Sequence, residues 1–160
     1  MSYDLAVVDP RPELRDRPTF MAWYDAGIEW ADWLDYNDPS NASPALQHWF
    51  REMISTFPPM NGPLRPVDFA DDEWTADYSI ARDLIVIAFP SSKGKHAYEV
   101  TRRLAGKHRV GFFDASGNAG AWFPGAGETL ELAHASDPNQ TPEAGLERLA
   151  GRIQRAWKKS

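Results

Sequence analysis

Six consecutive apolar residues, Leu84-Ile85-Val86-Ile87-Ala88-Phe89, constrain the fold more than any other stretch of this chain. The run is far below the roughly 20 residues that a membrane-crossing helix needs, and its β-branched content reads as a strand. Successive strand side chains point to opposite faces, so a strand without polar positions needs cover on both. It belongs in the interior of a sheet.

The flanking segments supply the rest of that sheet. Tyr3 to Val8 is a short β-rich run stopped by Asp9-Pro10, and Thr75 to Ile80 alternates Ala76, Tyr78 and Ile80 with Thr75, Asp77 and Ser79, the pattern of a half-exposed strand. Val110 to Asp114 reads as a fourth strand ended by the turn Ser116-Gly117-Asn118, and Trp122-Phe123 as a short edge piece. Between the first two strands the period changes. Phe20, Tyr24, Gly27, Ala31 and Leu34 recur at helical spacing with Asp25, Glu29 and Asp32 on the other side. Ser43-Pro44 then caps a second helix carrying Leu46, Phe50, Met53, Ile54 and Phe57 on one face. A third, basic helix follows Ser91-Ser92, with Ala97, Val100, Thr101, Leu104 and His108 inward, and Thr141-Pro142-Glu143 opens a terminal helix. The order predicts an α+β fold. It comprises a four-stranded antiparallel sheet in ferredoxin-like βαββαβ order, with an extra helix in the first crossover and a C-terminal helix. The 160 residues form one domain, with a core over 3–117 and an extension over 118–160.

Composition narrows the function. The absence of cysteine excludes disulfides, thiolate metal sites and thiol catalysis. Met1-Ser2-Tyr3-Asp4 lacks the features of a secretory signal, so the expected location is the cytoplasm. The net charge of −6 conceals a strong asymmetry: residues 18–81 hold eleven acids and two bases, whereas residues 82–160 hold eight acids and twelve bases. Lysine and arginine are absent from Pro18 to Phe50. Such a surface attracts cations and basic proteins and repels nucleic acid.

No catalytic constellation competes with that signal. His48, His96, His108 and His134 show no metal-ligand spacing, no Gly-x-Ser-x-Gly is present, and Gly125-Ala126-Gly127 lacks the remainder of a phosphate loop. Asp114-Ala115-Ser116-Gly117 reads as a turn rather than a catalytic element. Nothing calls for a cofactor, and the chain reads as a non-enzyme. The long loop from Pro58 carries Asp68, Asp71, Asp72, Glu73, Trp74 and Asp77, and the earlier acidic segment carries Asp32, Trp33, Asp35 and Asp38. Carboxylates beside tryptophan suit a protein interface, where charges steer association and aromatics anchor it. An enzyme or ligand-binding domain that uses these carboxylates, with or without a metal, is the competing expectation, and a secretion-system accessory protein a third.

The segments Ser43 to Leu46, Phe57 to Pro63, Trp74 to Ile80 and Val110 to Asp114 resemble a group of small acidic bacterial cytosolic proteins. Some of these are similar to the immunity partners encoded beside polymorphic or type VI secretion toxins. The resemblance spans roughly residues 3–117 and implies an inhibitor that binds a cognate, basic toxin or effector inside the producing cell, with no functional residues to carry over.

Overall fold

The computed structural model describes residues 2–67, 72–117 and 120–135, and the helix expected from Thr141 lies outside them. Strand β1 (Ser2–Val8) leads through a 3-10 turn (Pro12–Arg15) into helix α1 (Arg17–Gly27) and then helix α2 (Pro44–Met53). Strands β2 (Asp77–Ile80) and β3 (Leu84–Pro90), helix α3 (Gly94–His108), and strands β4 (Gly111–Phe113), β5 (Ala121–Pro124) and β6 (Leu130–His134) follow. The fold is α+β with one antiparallel sheet in the order β2-β3-β1-β4-β5-β6.

This corrects the four-strand expectation, because among the described residues the sheet has six strands. Trp122-Phe123 is no edge piece: β5 pairs with β4 on one side and β6 on the other, and the glycine-rich passage is the turn between β5 and β6. Gly125 N–H donates to the Thr129 carbonyl across that turn at 2.9 Å.

The apolar run behaves as its composition demands. Leu84 to Phe89 is buried throughout, and its alternate residues enter two separate cores. Ile85, Ile87 and Phe89 join Leu5, Val7 and Phe112 under α2 and α3, where Trp49, Phe50, Met53, Val100 and Leu104 pack. Leu84 and Val86 join Ala6, Val8 and Phe113 on the opposite face, under Phe20, Tyr24 and Ile28 of α1 and its C-cap. The described residues thus form three layers, with α1 across the sheet from α2 and α3. Each fully buried large apolar side chain contributes about 1.5–3 kcal/mol. Glu52 of α2 ties the two helices of one layer together, accepting from Lys107 at 2.8 Å and lying 3.2 Å from His108.

Local boundaries follow local chemistry. Asp16 caps α1 by accepting from the Thr19 N–H, and Ser43 caps α2 as its sequence requires. The first stripe was expected to continue to Leu34, but α1 stops at Gly27, and Trp30 instead packs on Tyr36 at 5.8 Å between ring centroids. Neither Ser91 nor Ser92 caps α3; they form a 3-10 turn that runs into it. β2 is not half-exposed either, since Thr75 and Ser79 are buried with their apolar neighbours. Among the described residues no helix is long and apolar enough to cross a membrane.

Candidate partner-binding surface

β2 forms one edge of the sheet, and an open edge invites pairing with another chain. Two loops close it. In the loop after α2, Met60 N–H donates to the Ala76 carbonyl and Ala76 N–H to the Pro58 carbonyl, both at 3.0 Å, with Pro59 bridged in parallel to Ala76. In the loop between α1 and α2, the Tyr36 carbonyl accepts from Ile80 N–H at 2.7 Å, and Asn41 donates its amide to the carbonyls of Asp35 and Ile80. The loops meet at Gly62, whose φ of 88° suits glycine and where a Cβ would lie 2.8 Å from the Asn37 carbonyl oxygen.

The surface of these loops is both apolar and acidic. Trp33 is 85% exposed, and Met60, Leu64 and Val67 are also exposed. Among the described residues the fifth exposed large hydrophobic, Leu132, lies elsewhere, on β6. Four carboxylates, Glu29, Asp32, Asp35 and Asp38, accompany Trp33 with no base between Pro18 and Phe50. Asp35 accepts from Asn37 N–H at 3.1 Å, and Asp38 accepts from the N–H and hydroxyl of Ser40 at 2.9 and 2.8 Å. The backbone and hydroxyl hydrogen bonds of Ser40 hold the Asp38 carboxyl below the usual range. Both acids therefore shape turns, and Asp38 keeps its charge while doing so.

The second expected region is placed differently. Asp68 and Asp71 lie outside the described residues, and Asp72 opens a 3-10 turn ending at Trp74. Glu73 is mostly exposed and lies 3.7 Å from Lys93 Nζ. Trp74 is half-buried: its ring lies 5.5 Å from Phe57 and 5.3 Å from His96, with Lys93 Nζ 4.1 Å from its centroid. Trp74 thus packs its inner side against the end of one core. Asp77, half-buried on β2, sits opposite Ala88. Trp33 and Asp32, Asp35 and Asp38 therefore share one loop, whereas Trp74 faces a core edge. Sequence reasoning missed Met60, Leu64 and Val67, which carry no period; the signal was apolar residues inside a proline-rich loop. Among the described residues no three His, Asp or Glu side chains gather as a metal site.

The Asp114 turn is structural. Gly117 N–H donates to Asp114 Oδ1 at 2.9 Å, and Ser116 bonds the β1 backbone twice, through Asp4 N–H to its Oγ and its own N–H to the Asp4 carbonyl. Burial raises the Asp114 carboxyl above its ordinary value despite hydrogen bonds from Gly117 and Tyr3. The folded state thus binds the proton more tightly than the unfolded one. This contribution to stability is complete below the unfolded carboxylate value of about 3.9 and is lost as pH rises through the folded value. Asp114→Asn keeps an acceptor for Gly117, so its stability relative to the parent, measured by urea titration at several pH values, improves as pH rises from about 4 toward neutrality. A difference that is flat or moves the other way contradicts the buried carboxyl.

No family model, curated protein or solved structure matches this chain.

Proposed function

We propose that the protein is a non-enzymatic binding protein, an immunity protein that inhibits a cognate bacterial toxin or effector with a basic surface in the cytoplasm of the producing cell. The observation that carries this reading is the concentration of exposed apolar side chains, Trp33, Met60, Leu64 and Val67, on two touching loops, one of which is wholly acidic. An aromatic anchor ringed by charge of one sign combines binding energy with fast, salt-dependent association, which an inhibitor requires. The secretion-system setting follows from the resemblance of Phe57 to Pro63 and its companion segments. We read the strand order β2-β3-β1-β4 as a ferredoxin-like sheet to which β5 and β6 are added.

Co-expression with the product of the neighbouring gene tests the proposal. Growth is restored and a one-to-one complex is recovered. Trp33→Ala weakens that complex by roughly tenfold or more. The reversals Asp32→Lys with Asp35→Lys, or Asp71→Lys and Asp72→Lys with Glu73→Lys, slow association and flatten its salt dependence. Absence of a complex, or association rates indifferent to both sets of reversals, overturns the reading.

A further inference from the structure

The end of the sheet where β1 finishes and β4 begins collects three arginines, Arg11 and Arg15 from the turn after β1 and Arg109 from the end of α3. Val8 pairs with Gly111 there, so the turn after β1, the end of α3 and the end of β5 converge. Arg11, Arg15 and Arg109 line a cleft of about 300 Å³ with Phe123 and three prolines, Pro10, Pro12 and Pro124. That volume lies at the lower end for small-molecule sites.

Each guanidinium is held, and among the described residues two of them have no ion-pair partner. Arg109 Nη1 donates to the carbonyls of Gly125 and Gly127, which orients the group without neutralising it. Its remaining N–H groups stay available as donors. The Arg15 guanidinium lies 5.7 Å from the centroid of the Phe123 ring. Among the described residues no carboxylate forms an ion pair with Arg15 or Arg109, while Arg11 reaches Glu13 at 3.9 Å and Asp83 at 4.0 Å. A second cleft of the same volume offers a contrast. There Arg102 and Arg103 are matched by Glu99 and Glu128, so the lining is charge-balanced. Of these two clefts the first carries the cationic excess, in a chain of net charge −6.

We propose that this cleft binds a small phosphate ester, its oxyanion held by Arg15 and Arg109 and its organic portion against Pro10, Pro12 and Pro124, the Phe123 ring being buried beneath the Arg15 guanidinium. Guanidinium forks match phosphate oxygens in pairs, and the flat apolar walls suit an attached sugar or ring. The site is independent of the loops at the β2 edge.

Titration of the full chain with inorganic phosphate and with adenosine monophosphate, followed by calorimetry at physiological salt, tests this. Both probes bind competitively and the ester binds more tightly. Arg15→Gln, at an exposed position without an ion pair, weakens both by roughly tenfold or more. Arg103→Gln, in the balanced cleft, leaves both unchanged. No saturable binding of either probe, binding indifferent to Arg15→Gln, or equal loss in Arg103→Gln overturns the assignment.

Discussion

Phe20→Ala lowers the unfolding free energy by about 3–5 kcal/mol, read as a fall in the urea midpoint at unchanged slope. Phe20 is fully buried, and its ring lies within 4.9 to 6.5 Å of five others, Trp23, Tyr24, Phe113, Phe123 and His134. Few of these can move into the vacated space, because Phe113 and Phe123 stand on paired strands. A milder pair isolates the layer arrangement. Phe20→Leu and Trp49→Phe remove volume from opposite faces of the sheet, so their effects add to within about 0.5 kcal/mol in the double variant. Were α1 packed beside α2 on one face, the two aromatics would share neighbours and couple by up to about 3 kcal/mol. Coupling above about 1 kcal/mol contradicts the three layers.

That arrangement explains which parts of the fold could be read from the residues. The two-faced burial of Leu84 to Phe89 was legible because a strand with no polar position admits no other environment. Which helix covers which face was not. The stripes of α1 and α2 each demand an apolar neighbour, yet neither encodes a side of the sheet. Likewise the spacing of Ala31 and Leu34 continues the α1 stripe, while the contact of Trp30 with Tyr36 in the following loop goes with an end at Gly27. β6 passed unread although Leu130 and Leu132 alternate with Glu131, because five residues beside glycines resemble a connector as much as a strand. At the candidate surface, the exposure of Trp33 agrees with its place among acids. Trp74 has the same acidic neighbour in sequence, but Phe57, His96 and Lys93 draw it inward, and none of those three is near it in the chain. Local composition cannot distinguish the two tryptophans; long-range packing does.

Gly106→Ala destabilises the protein by about 1–3 kcal/mol, although helix propensity alone predicts a gain of about 1 kcal/mol. Gly106 lies near the end of α3, and a Cβ there would stand 2.2 Å from the Glu128 carbonyl oxygen. A backbone atom cannot rotate away as a side chain does, so the turn between β5 and β6 has to shift. The same turn is held by Arg109, whose positive φ of 56° at the end of α3 goes with hydrogen bonds from its guanidinium to the carbonyls of Gly125 and Gly127. Displacing the turn strains those bonds as well. Amide exchange localises the effect: Leu130 to His134 lose protection first, whereas β1 and β3, buried on both faces, retain theirs. Gly94→Ala is the control. At that position the Cβ meets the Tyr3 ring at 3.3 Å, a side chain able to yield, so the cost is smaller. A Gly106→Ala protein more stable than its parent would mean that the β5–β6 turn does not rest on α3.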